Sequence, residues 1–247
     1  MVAGYLSGHF GIGGGFLMQP ALRLLLGMPA LISLGTPIPV IVLSGITGSY
    51  NYYRGGYIDI KLAPYLSISG IAGSVLGSLA TGVINGDIIL LITAVALAVT
   101  ALRFILSIEK SAQNVSPPAK SSGRGAVAAL LTGLIAGFLA GFLGLGGGFL
   151  LVPALSIIFK KDMKTSLGTS LLVIIAYSIP AAATHFLLGH VDLLLAALLA
   201  VGIIPGAYLG SRVAISLPEA LLRKLFGIFL LLVSLYFAGF EISVLLK

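Results

Sequence analysis

Two glycine clusters carry the clearest chemistry in this chain. The first reads Gly11-Ile12-Gly13-Gly14-Gly15-Phe16-Leu17-Met18-Gln19-Pro20, and the second Gly144-Leu145-Gly146-Gly147-Gly148-Phe149-Leu150-Leu151-Val152-Pro153. Each lies inside a long apolar segment, where every glycine costs a helix ~1 kcal/mol relative to alanine. Helices are therefore expected to break there. Backbone that leaves helical geometry in a bilayer must be satisfied by protein or by water in a cavity. A half-helix restarting at Phe16 or Phe149 presents free N–H groups and the positive end of its dipole, which suits an anion. The candidate anion-binding residues are Gly13, Gly14, Gly15 and Phe16, with Gly146, Gly147, Gly148 and Phe149 as their counterparts. The competing reading is that the glycines only let helices pack closely.

Other polar residues recur beside the clusters. Ser33-Leu34-Gly35-Thr36 returns as Ser166-Leu167-Gly168-Thr169. The hydroxyls of Ser33, Thr36, Ser166 and Thr169 are expected either to cap the segments they open or to touch ligand. Asp59 and Asp192 each precede an apolar run and are expected to cap it, with proton carriage as the other role. His9 lies two residues before the first cluster, an intramembrane ionisable group and so a candidate ligand contact. Arg23 either attracts anions or snorkels to the surface.

Several function classes are excluded or disfavoured. The clusters lack a following Lys-Ser/Thr and a strand–helix setting, so neither is a phosphate loop or dinucleotide site. There is no cysteine, which removes disulfides and thiolate metal sites. His9, His185 and His190 are not spaced as metal ligands. No catalytic Ser/His/Asp arrangement appears, so neither enzyme activity nor a cofactor is expected. The net charge of +7 does not point to nucleic acid, because the lysines and arginines lie at segment ends, where they act as topology signals.

The elements that position these residues follow from composition and repetition. Hydrophobic residues make up 58% of the 247 and charged residues 9%, against about 25% charged in soluble domains. An all-α polytopic membrane protein is expected. At an offset of 133, residues 11–80 match 26 of 70 positions in the second half, so the chain is a tandem duplication. The expected units are a first membrane repeat over 1–106, a polar linker over 107–125, and a second repeat over 126–247. Each repeat holds one glycine-broken segment (1–27; 126–159) and three apolar segments long enough to cross ~30 Å of hydrocarbon. These cover 33–53, 60–83 and 88–106, then 166–188, 193–215 and 220–240. Ten residues precede the first cluster and 18 lie between 126 and the second, so either the first half-helix is short or the given start is late. No basic stretch opens the chain, so a cleaved signal peptide is not expected.

Charge counts distinguish two topologies. If all eight segments cross, each side holds 7 Lys and Arg. If the broken segments enter and leave on one side, the split is 12 against 2, the bias of the positive-inside rule. Three true crossings per repeat then invert the second repeat relative to the first, a recurrent transporter design.

At residues 136–153 the chain reads Ala-Gly-Phe-Leu-x-Gly-x-x-Gly-Leu-Gly-Gly-Gly-Phe-Leu-x-x-Pro, with a looser copy at 3–20. With the paired Ser-Leu-Gly-Thr and Gly-x-x-x-Gly-Ser elements (73–78, 206–211), this resembles the TauE/SafE family of membrane permeases. The resemblance implies passage of sulfite, sulfonates, related sulfur-containing anions or other small organic acids across the cytoplasmic membrane. The expected function is a secondary carrier for such an anion, with a passive anion channel as the alternative. Its expected partners are the small anion, the lipid bilayer, and protons as a candidate coupling ion.

Overall fold

The computed structural model describes residues 1–111 and 123–245. The first repeat folds as α1 (Val2–Phe10), α2 (Gly15–Leu26), α3 (Ala30–Gly35), α4 (Pro37–Arg54), α5 (Ala63–Ala80) and α6 (Gly86–Ser111). The second folds as α7 (Gly123–Leu143), α8 (Gly148–Ile157), α9 (Met163–Leu187), α10 (Leu193–Ser216) and α11 (Glu219–Leu245). Among the described residues there is no strand. Among the described residues, six spans are long and apolar enough to cross a membrane, with α3 and α4 counted as one. The chain is a multi-pass membrane protein. The linker expected over 107–125 overlaps two helices, since α6 reaches Ser111 and α7 begins at Gly123; residues 112–122 lie outside the described residues.

The helices break at the glycines for a backbone reason. Gly11 ends α1 at φ 68° and Gly14 precedes α2 at φ 89°. Gly144 and Gly147 do the same around α8, at φ 69° and 67°. A side chain in this left-handed region costs about 1–2 kcal/mol, so the turn requires glycine. The chain then doubles back. A β-carbon on Gly14 would lie 3.2 Å from the Ala3 carbonyl and 3.3 Å from the Ser7 side chain, so α2 returns along α1. Gly147 bears the same relation to Ala136 and Ala140. Each broken segment is a hairpin.

Small residues let each hairpin dock on the other repeat. Gly4 and Gly8 of α1 meet Ile203 and Ala207 of α10, so these helices run parallel. In the second repeat Gly133, Gly137 and Gly141 of α7 meet Leu66, Gly70 and Ser74 of α5, also in parallel. The equivalent helices α4 and α9 run antiparallel, with Gly45 against Leu171 and Ile175, and Gly168 against Tyr52. Close backbone approach of this kind is how helices associate where lipid removes the hydrophobic drive.

These directions gather the helix connections at two ends. Lys161, after α8, pairs with Asp59, after α4, at 2.5 Å. The N–H of Met163 bonds Glu219, and Lys164 bonds the Ile215 carbonyl at 2.6 Å. The opposite end joins Arg23 of α2 to Asp87 of α6, and sets Gly82 beside Leu188. Among the described residues, 11 of the 12 Lys and Arg lie in segments that reach or border the first end, with Arg23 at the other.

Candidate functional site

The two glycine turns meet at the centre of the molecule. A β-carbon on Gly15 would lie 2.6 Å from the Gly144 carbonyl oxygen, and one on Gly148 would lie 2.5 Å from that of Gly11. One on Gly13 would lie 3.7 Å from the Gly146 Cα, and Ile41 packs against both of these glycines. The N-termini of α2 and α8 are thereby brought together. In α2 the N–H groups of Leu17 and Met18 bond the Gly14 carbonyl, and in α8 those of Leu150 and Leu151 bond Gly147. The N–H groups of Gly15, Phe16, Gly148 and Phe149 precede these first bonds and are the open donors of the two helix ends. Each end carries roughly half a positive charge. The eight expected cluster residues thus lie in two turns that touch each other through Gly13, Gly15, Gly146 and Gly148, while Gly14 and Gly147 face their own hairpins.

The two phenylalanines take a different part from their backbones. The Phe16 and Phe149 rings pack with Ile12, Leu145, Leu97, Phe229 and Leu230 around a cavity of about 10 Å³. The Phe16 ring meets that of Phe229 at 4.8 Å. Their side chains brace the turns against α6 and α11, while their N–H groups belong to the helix ends. A larger cavity of about 590 Å³ lies apart from the turns, among α4, α9 and α10, lined by Ile46, Tyr50, Tyr53, Leu172, Ile175 and Tyr208.

Hydroxyls hold the turn carbonyls. Ser170 donates to Gly11 O at 2.8 Å, and Tyr177 to Gly146 O at 2.6 Å. Ser7 and Ser44 bond each other beside the α2 end. Upstream, the last turns of α1 and α7 leave carbonyls without helical partners. The Tyr52 hydroxyl donates to Gly8 O at 3.1 Å, and His185 Nε2 bonds Gly141 O at 2.8 Å. These two positions are equivalent in the repeats, but the residue type differs, so a search for identities passes over them. The same holds for Tyr177, whose counterpart is Ser44.

Of the two roles expected for the Ser-Leu-Gly-Thr hydroxyls, capping of their own segments is not observed. Ser33 donates to Ala30 O and Ser166 to Asp162 O, both back into their own turn. The carboxylate of Asp162 caps α9 instead, accepting from the Thr165 N–H. Thr36 and Thr169 act across the repeats: Thr36 accepts the Asp192 N–H at 3.0 Å, and Thr169 the Asp59 N–H at 2.9 Å. Gly35 and Gly168 sit flush against the opposite repeat, which brings each threonine to that loop. Asp192 caps α10 as expected, through the Leu195 N–H at 2.9 Å. Asp59 accepts the Lys61 and Leu62 N–H groups in the turn before α5. Partial burial pushes its carboxyl up, but Lys161 and these N–H groups outweigh that and hold it below the usual carboxylate range.

His9 is buried in α1 between Tyr5 and Phe10. Its ring reaches the Gly210 backbone of α10, and its Nδ1 has no hydrogen-bond partner. It therefore serves the α1–α10 seam and not the open N–H groups. Arg23 ends α2 in an exposed ion pair with Asp87, at the surface.

Comparison with known proteins points to membrane transporters. The family model described as sulfite exporter TauE/SafE matches residues 1–237. A probable membrane transporter protein of Bacillus subtilis, YdhB, is 29% identical over 225 residues, covering 90% of each chain. Another from the same organism, YunE, is 23% identical over 247 residues, covering 91% of this chain and 88% of its own. A probable membrane transporter protein of Xylella fastidiosa (strain 9a5c) is 26% identical over 240 residues, covering 95% and 90%. No solved structure is matched.

Proposed function

Because this chain belongs to the sulfite exporter TauE/SafE family and is a membrane transporter, we propose that it is a secondary carrier for a small anion. Sulfite, a sulfonate or a related organosulfur acid is the substrate class, and the route crosses the cytoplasmic membrane. The observation that carries the proposal is the convergence of the α2 and α8 N-termini at the two glycine turns. Donors already oriented, in a site shielded from water, hold an anion without a lysine or arginine beside it.

The mechanism is alternating access. The packed turns represent the occluded arrangement, and the anion enters when one hairpin parts from the other. Antiparallel α4 and α9, being equivalent elements, support repeats inverted across the membrane, with a two-fold axis in its plane. Two hairpins docked each on the opposite repeat then rock as units about the central contact. The 12-to-2 charge bias supports placing the Asp59–Lys161 end in the cytoplasm.

The test is flux in proteoliposomes of the purified protein, with sulfite, sulfoacetate and sulfate compared. A carrier gives saturable uptake and counterflow by unlabelled anion loaded inside. Flux that rises linearly with concentration and shows no counterflow identifies a channel, and absence of flux for all three refutes the substrate class.

A further inference from the structure

His185 and His190 form a buried pair that the anion site leaves unused. Their Nδ1 atoms lie 3.3 Å apart, His185 is fully buried, and His190 is 8% exposed. The hydrogen bonds set the tautomers. Gly141 O can only accept, so His185 Nε2 carries a proton, and in the neutral ring its Nδ1 accepts. His190 therefore donates from Nδ1 and keeps a lone pair on Nε2. Thr81 donates to Ser78 O at 2.6 Å, leaving its own oxygen as a second, weaker acceptor for His190 at 3.5 Å. Ser78 Oγ is buried next to Gly141 without a partner.

This chain of bonds runs from one end of the molecule to the glycine turn. His190 lies in the loop between α9 and α10. Gly141 lies in the last turn of α7, three residues before the turn opens at Gly144. The carbonyl end of a helix favours a cation, and Gly141 O is one of the carbonyls that α7 itself leaves unpaired.

We propose that the His185–His190 pair is a proton-binding site coupled to anion binding, making the protein a proton–anion symporter. This rests on the anion site proposed above. The proton enters at His190 Nε2. The Nδ1 proton of His190 passes to His185 Nδ1, and the charge comes to rest on the His185 imidazolium, held by Gly141 O. An anion at the α8 N-terminus, a few residues further along the same chain, offsets the buried charge. Each ligand therefore strengthens binding of the other, and thermodynamic linkage makes the effect reciprocal.

The surroundings leave the pair as the titrating element. α5 presents Ser78 and Thr81, both neutral; α7 presents the Gly141 carbonyl; α3 presents the Gly35 backbone against His190. The Asp192 carboxylate is engaged by the Leu195 N–H, and Arg23 and Asp87 at this end pair with each other. Burial holds His190 below the usual histidine range, which favours its neutral ring until a compensating charge is near. The equivalent positions in the first repeat are Tyr52 and Tyr57, so the histidine pair is not repeated there. The proposed proton switch thus belongs to the second repeat.

Two measurements on the full-length protein decide this. In proteoliposomes, sulfoacetate uptake with acid outside is divided by uptake at symmetric pH; this anion keeps its charge between about pH 5.5 and 7.5. The ratio is expected on the order of 10 for the wild type and near unity for His185→Gln and for His190→Gln. Gln at 185 still offers an N–H to Gly141 O, so the carbonyl keeps its partner. A ratio unchanged in either variant overturns the proposal. Independently, ¹⁵N-histidine spectra of the protein, assigned with the two variants and His9→Gln, are recorded across pH with and without sulfoacetate. Coupled titration of His185 and His190, shifted upward by the anion, supports the site, and independent or anion-insensitive titration refutes it. If wild-type protein moves no sulfoacetate, the anion reading has failed. Coupling of the two histidine titrations in the anion-free spectra then decides the proton site.

Discussion

At the residue scale the central constraint is backbone conformation. Gly14 and Gly147 are held at φ 89° and 67°, and each precedes the N–H groups proposed to bind the anion. Gly14→Ala and Gly147→Ala are expected to lower anion affinity at least ~10-fold, through strain of about 1–2 kcal/mol at the turn and displaced donors. Gly147→Ala also meets the Tyr177 hydroxyl, 2.5 Å from the new carbon, so its thermal stability falls further than that of Gly14→Ala. Binding isotherms and thermal unfolding of the two variants separate these effects. A loss of stability with unchanged affinity assigns the glycines to packing alone. Asp59 offers a second test. Its folded carboxyl titrates below the unfolded one, so its contribution to stability is present above the unfolded range and is lost as pH falls through the folded value. Asp59→Asn is expected to lower the melting temperature at neutral pH, with the difference from wild type shrinking as acid protonates the carboxyl.

At the element scale, short half-helices do the work of full crossings only because they are paired. α2 has 12 residues and α8 has 10, a rise of about 15–18 Å at 1.5 Å per residue, near half the hydrocarbon thickness. From the central contact of the two turns they run to opposite ends of the molecule. The C-terminus of α2 lies at the surface, where Arg23 meets Asp87. An exposed pair of this kind is worth ~0–1 kcal/mol. Arg23→Gln is expected to change stability by less than about 1 kcal/mol and to reduce uptake only modestly. Complete loss of anion binding in the folded variant shows instead that a side-chain cation holds the ligand.

At the scale of the whole molecule, the connections divide between a basic end and one nearly free of basic residues. The chain has no cysteine, so single reporters can be placed at will. Lys61→Cys and Ser216→Cys lie at the first end; Val83→Cys and Leu187→Cys lie at the second. In intact cells an impermeant thiol reagent is expected to label the second pair and spare the first. Labelling of Lys61→Cys together with Val83→Cys defeats the proposed inverted arrangement, since those two positions bound a single crossing by α5.

Much of this was legible in the residues themselves. Crossing segments follow from apolar length, and the breaks follow from glycine runs that no stable helix tolerates without cause. Asp192 was readable as a cap because capping is local, joining it to Leu195 three residues on. The family pattern is likewise a local string. What lay beyond the sequence joins residues far apart. Thr36 serves Asp192 across 156 positions, and Thr169 serves Asp59 across 110, so the sequence offered their hydroxyls only local capping or ligand contact. His9 stood close to the cluster in sequence but turns onto α10, whereas His185 and Tyr177 reach the turns from α9. Helical periodicity fixes which residues share a face and leaves open which helix that face meets. Small residues allow close approach to any neighbour of matching shape, and only the packed tertiary structure selects α10 for α1 and α5 for α7.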